Sequence, residues 1–348
     1  MPIEQSHVKF MKPLVISDSG SNGGRMSNVE AATGVKNNVW PDVPGSERTN
    51  GSTKYRKIFV KIANPDNLKM IDACIFVETP TPGGDRVGIF PGTQTDTQTD
   101  ITGASHGYWG SGSLNANVSQ GASVLTVNVE DPTDVQFIQG RLIRISNKTS
   151  IDDLNGVEEF VRIKNDPSGV SWNGNLATLT LEDGKTLDNA YLASDTKVAS
   201  VIEAGDIWAK TDTWAISSAS GTLDGWDGSG AAPDTLTNAR MVDFIAGIEQ
   251  TWTLTFTNAT TFTCVGDTLG SVGSGTIAGD FAPNNATYSR PYFTLLASLW
   301  GGSWSTGNVV TFKTHPAAFP VWEMRIIPPN TGSLSGDKVI IGVSGESE

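Results

Sequence analysis

The clearest signal along the chain is a two-residue alternation of apolar and polar positions. In 57–63, Ile58, Val60 and Ile62 alternate with Phe59 and Lys61; in 70–78, Ile71, Ala73, Ile75 and Val77 share one face. Successive side chains of a strand point to opposite sides, so this period predicts half-buried β-strands. Asn64, Pro65, Asp66 and Asn67 supply turn chemistry between the two. The same reasoning predicts strands at 87–90, 123–130, 141–146, 159–164, 177–182, 309–313, 321–327 and 338–343. The sharpest pattern is 251–257, where Trp252, Leu254 and Phe256 face one way and four threonines the other. Threonine suits a solvated sheet face. One helix is predicted, over 236–250, from the imperfect stripe Ala239, Val242, Phe244 and Ile245.

Short strands bounded by Gly, Asn, Asp and Pro clusters indicate sandwiches or small barrels. At 348 residues the chain has room for two to three domains of about 150 residues. Residues 1–55 carry no period; Gly20, Gly23, Gly24, Gly34, Gly45 and Gly51 interrupt it, with Pro41 and Pro44 between. This segment reads either as a loose terminus or as an extended arm that orders on a neighbouring subunit, with Val39, Trp40 and Pro41 as its anchor. A polar, glycine-rich stretch at 94–112 marks a boundary. The expected architecture is all-β: an extended N-terminal arm (1–55), a first β domain or sheet (56–110), a middle β domain (111–205) and a C-terminal β domain (206–348), the domains being sandwich- or barrel-like.

The 38 glycines and abundant Ser, Thr, Asn and Asp fit a chain that turns often. The net charge of -13, with no basic stripe, argues against nucleic acid as a partner. Cys74 and Cys264 lack metal spacing and lie in alternating apolar runs, which makes them small buried thiols. No apolar run is long enough to span a bilayer, and the first residues lack a signal peptide's apolar core. The expectation is a soluble chain made in a cytoplasm, without membrane insertion.

Candidate chemistry is thin. Gly103, Ala104, Ser105, His106 and Gly107 match the string of a nucleophile elbow, but no helix is predicted after them, and the elbow needs a strand-to-helix turn. Asp152–Asp153 and Glu158–Glu159 are adjacent acids, which on a strand point to opposite faces and so do not make a glycosidase pair. Asp224, Gly225, Trp226, Asp227 and Gly228 read as a turn, lacking a full calcium-loop ligand set. No Walker loop, paired CxxC or HExxH is present. The expectation is a protein that is not an enzyme, with no catalytic residue, cofactor or metal. Tyr108, Trp109, Trp226, Trp300 and Trp304 fall in glycine-rich loops and are candidate exposed aromatics for binding.

Four segments taken together resemble a known family. They are Gly23, Gly24, Arg25, Met26 and Ser27; Glu47, Arg48, Thr49 and Gly51 followed by Lys54, Tyr55, Arg56, Lys57, Ile58, Phe59, Val60 and Lys61; Phe90, Pro91, Gly92, Thr93, Gln94, Thr95 and Asp96; and Pro316, Ala317, Ala318, Phe319, Pro320, Val321 and Trp322 with Ile326, Ile327, Pro328 and Pro329. The set resembles virion structural proteins from the morphogenesis modules of Mu-like and related tailed phages and prophages. The resemblance implies a tail, baseplate or neck component that works by oligomeric assembly. Its partners would be copies of itself in a ring or trimer and other tail, baseplate or head–tail proteins, in a virion assembled in the host cytoplasm. It carries no active-site residue. A tail-tip receptor- or glycan-binding protein and a capsid decoration protein are the alternatives.

Overall fold

The computed structural model describes residues 2–104, 106–131, 136–233 and 241–348. The chain is nearly all β, built from antiparallel sheets.

The first strands are β1 (Val8–Val15), β2 (Gly23–Glu30), β3 (Ser52–Ile62), β4 (Met70–Thr79) and β5 (Arg86–Pro91). β1 and β2 form a hairpin, and β1 pairs along β3 from Val8↔Ile62 to Met11↔Phe59. Residues 1–55 are therefore not an extended arm. The alternation that β1 carries in Val8, Phe10 and Leu14 is masked by Pro13, and β2 opens on two glycines, which hid both strands from a periodicity reading.

The chain then enters a small barrel: β6 (Ser111–Leu114), β7 (Val124–Asn128), β8 (Leu142–Ser146), β9 (Glu158–Arg162), β10 (Val170–Asn173), β11 (Leu176–Thr180) and β12 (Lys197–Ile207). The pairings run β12–β6–β7–β11, then from β11 through the Leu181↔Ile163 bridge to β9, β8 and back to β12. The ring so closed leaves few free edges and encloses Leu125, Val127, Phe137, Ile143, Ile145 and Leu179 among others.

β12 is the joint. Its first residues pair with β6 and β8 of the barrel, while Val201 onward pairs with β4. Val198 to Ile202 are all buried, because this stretch is covered on both faces. Beside it, the Arg144 guanidinium lies between Glu78 of β4 (2.5 Å) and Glu158 of β9 (2.6 Å), and over the Phe76 ring. Burying such charges is tolerable because each has its partner.

The C-terminal strands follow: β13 (Lys210–Ile216), β14 (Gly221–Leu223), β15 (Gln250–Phe256), β16 (Thr261–Gly266), β17 (Gly270–Thr276), β18 (Asn284–Asn285), β19 (Arg290–Pro291), β20 (Trp300–Gly302) and β21 (Val309–His315); the C-terminal sheet has the order β13-β21-β15-β16-β17, and β14–β20 and β18–β19 are separate two-stranded pairs. Trp252, Leu254 and Phe256 are fully buried while the threonines between them stay half-exposed, as the alternation requires. The predicted helix does not form over 241–250; residues 234–240 lie outside the described set. Val242 bridges Phe293, and Asp243 Oδ1 accepts the Ile245 and Ala246 N–H groups, making a turn before β15. A short polar side chain capturing nearby backbone donors competes with helix in this way.

The last strands, β22 (Ala318–Ile327) and β23 (Ile340–Ser347), leave this sheet. β22 inserts between β3 and β5, and β23 pairs with β4. The expected unit over 206–348 is thus divided: its ends complete the first body. Sheet β2-β1-β3-β22-β5 packs on the β12-β4-β23 sheet through Ile58, Val60, Val321, Ile75, Val77 and Ile202. Each such side chain contributes roughly 1.5–3 kcal/mol by burial. The molecule is a sandwich carrying two insertions, a barrel and a second sheet.

Candidate functional site

The four segments that carried the family resemblance meet at one buried node. Lys57 Nζ lies 2.6 Å from Asp96 Oδ1 and donates to the Gly24 carbonyl at 2.8 Å. The Trp322 indole N–H donates to Asp96 Oδ2 at 2.9 Å. Gly23 sits at φ +103°, and a Cβ there would fall 2.7 Å from the Trp322 ring; a Cβ on Gly92 would meet the same ring at 2.9 Å. Both glycines are required by the indole beside them. Burial pulls the Lys57 ammonium below its ordinary value, and Asp96 opposes the shift. The node is a structural lock with nothing for a substrate to reach.

Val39, Trp40 and Pro41 pack onto the chain's own body. The Trp40 indole N–H donates to Glu323 of β22 at 2.5 Å, with the guanidinium of Arg325 4.5 Å and that of Arg56 5.0 Å from the ring. Arg325 also donates to the Pro41 carbonyl. Guanidinium groups this close to an indole ring are favourable neighbours.

Of the five aromatics expected to be exposed, Trp304 is buried and the other four are half-buried against the interior. Trp304 is 4% exposed and stacks on Phe256 at 4.4 Å; Trp300 packs edge-on against the same ring. Trp226 lies against the main core. Tyr108 packs edge-on against Phe90, and Trp109 is covered by the Arg141 guanidinium 3.8 Å from its ring centre. Glycine-rich sequence around them admits large rings at close quarters, which is why a loop-like context misled.

Ser105 of the elbow string lies outside the described residues. His106 stacks on Phe90 at 4.5 Å, its Nε2 is 2.9 Å from the Ile101 carbonyl, and the chain runs on into strand β6. Glu158 pairs with Arg144 and Lys148, whereas Glu159 accepts the Asp188 and Asn189 N–H groups, so the adjacent acids serve opposite sides. Asp153 caps a turn at Thr149, and Asp227 accepts from Ser229. Cys264 is buried, its thiol pushed up to about 12 by burial, and Cys74 is half-buried. Among the described residues no three His, Cys, Asp or Glu side chains gather as a metal site would need.

What periodicity missed lies where the chain crosses between the sandwich and the C-terminal sheet. Trp208, between β12 and β13, is 38% exposed and lines two adjoining depressions of about 210 and 260 Å³. Lys210 lines both as well. Asp212, on the floor of the second, sits at a register shift of β13, and the next residue, Thr213, has φ 57°. A β-branched residue in that region is strained. The bulge turns Asp212 toward His315: Asp212 Oδ2 is 2.9 Å from Nε2, and Glu249 Oε2 is 2.7 Å from Nδ1. Desolvation would depress this imidazole, but Glu249 and then Asp212 outweigh it and raise its pKa. With a carboxylate at each nitrogen, His315 is a clamp across β13 and β21, not a free general base. The signal available in sequence was a tryptophan at a domain boundary, where ligand sites concentrate.

A second surface is the β1–β2 hairpin. Leu14 (62%), Val29 (55%), Val15 and Ile16 are exposed on it, with Val35 just beyond. β2 is the outer strand of its sheet; it pairs irregularly with β1, and Thr97 bridges it at Gly23. At its start, Arg25 makes a two-pronged pair with Asp267, tying the hairpin to the C-terminal sheet.

Comparison with protein-family models, with curated proteins and with solved structures finds no match to this chain.

Proposed function

We propose that this chain is a structural component of a tailed-phage-type particle, in the tail, baseplate or neck, and that it acts by assembly with copies of itself and adjoining parts. The observation that carries the reading is the β1–β2 hairpin: four aliphatic side chains are presented to solvent on a hairpin whose outer strand has an open edge. Exposed apolar groups beside unpaired backbone N–H and C=O groups form a template for a second chain, and monomeric proteins blunt such edges. The neighbour contact assigned to residues 1–55 thus belongs to a folded hairpin.

Light scattering on the purified chain tests the proposal. Concentration-dependent association that is abolished by Leu14→Lys with Val29→Lys supports it. A monomer at all concentrations, together with absence from purified particles, overturns it.

A further inference from the structure

The geometry points to the paired depressions around Trp208 as a binding site for a neutral saccharide, one sugar ring on each side of the indole. Trp208 is a large aromatic left 38% exposed at a concave junction, and its indole N–H donates to no protein atom among the described residues. An indole offers an apolar face and a polar edge, the two features a pyranose ring presents in return. Three carboxylates line the depressions, and each has a partner: Asp206 is held by Lys69 at 2.8 Å, Asp212 by His315, and Glu348 accepts the Lys69 backbone N–H. Lys210, which borders both depressions, has no ion-pair partner within 4 Å among the described residues, leaving its three N–H donors to a guest. Acceptors stand beside it in Asp206 and Asp212. Ammonium groups and carboxylates both line the depressions, so an ion of either sign meets repulsion while a hydroxyl-rich neutral ring finds donors and acceptors alike. At about 210 and 260 Å³ each depression is smaller than the roughly 300–1,000 Å³ of a drug-sized pocket, so each takes a ring-sized unit.

The site does not depend on the assembly reading, since it lies on different strands from the β1–β2 hairpin. The test uses the whole chain labelled with ¹⁵N-tryptophan, titrated with maltotriose, cellotriose, chitotriose and, as an anionic control, trigalacturonate. Trp208→Phe identifies the Trp208 indole resonance. The expected result is that at least one neutral trisaccharide shifts that resonance, and that Trp208→Ala and Lys210→Ala each weaken its binding by about tenfold, the scale of losing one stacked or charged contact. Circular dichroism and thermal melting of both variants check that they fold. The proposal is overturned if no neutral trisaccharide binds at about 20 mM, where even a millimolar site fills. It is equally overturned if only trigalacturonate binds, or if binding persists unchanged in a folded Trp208→Ala protein.

Discussion

Lys57 and Asp96 form an ion pair of 2.6 Å beneath the surface, with Lys57 only 1% exposed, and the Trp322 indole closes over the same carboxylate. Asp96→Asn keeps an acceptor for Trp322 but strands the ammonium. Breaking a buried pair from one side costs about 3–5 kcal/mol. We expect urea denaturation of Asp96→Asn at pH 7 to show a loss of that order. Lys57→Met combined with Asp96→Asn should recover most of it, because the pair's own net worth is small.

Glu323 gives the second prediction. Burial pushes its carboxyl up to about 7 from the ordinary 4.5, against the opposing pull of the Trp40 N–H, Arg325 and Arg56. Between those two values the native state keeps a proton that the unfolded chain has released. Stability should therefore fall as pH rises from 4.5 to about 7 and level off above, by on the order of 3 kcal/mol from this group. In Glu323→Gln that part of the profile should flatten, measured as denaturation midpoints across the range. A profile unchanged by the substitution would show that Glu323 stays ionised.

His315 has the opposite sign. Its pKa is raised from 6.5 by Glu249 and Asp212 despite desolvation. The stabilisation it supplies is complete below pH 6.5 and is lost as pH climbs through the folded value. His315→Gln should lower the melting temperature more at pH 6 than at pH 9. An equal drop at both would mean the imidazole is neutral in the clamp.

The Trp40 contacts predict how the segment after β2 behaves. Trp40→Ala removes the donor to Glu323 and the ring that Arg56 and Arg325 approach. Limited proteolysis within residues 31–44 should accelerate markedly while the barrel resists cleavage as before. Cleavage at the wild-type rate would mean that these contacts do not hold the segment.

The strands that sequence made legible are those with one wet face. In β15 the buried and half-exposed positions alternate without a break. β12 escaped notice because both its faces are covered through residues 198–202, which erases the two-residue period. β1 and β2 were obscured by proline and glycine. The same limit applies to side-chain roles. A tryptophan in a glycine-rich loop looks exposed whether or not another ring lies on it, and Trp304 stacks on a residue 48 positions upstream, Phe256. Trp208 and Trp304 are indistinguishable until the sheets are placed.

β12 has a mechanical consequence. It begins as a stave of the barrel and ends as a rib of the sandwich, with no loop between the two roles. Through 198–202 a force applied to the barrel meets no loop, and it travels along hydrogen-bonded backbone into β4 and its neighbour β23 before the register shifts near Gly205. Any change of angle between barrel and sandwich must therefore be taken up within β12 itself.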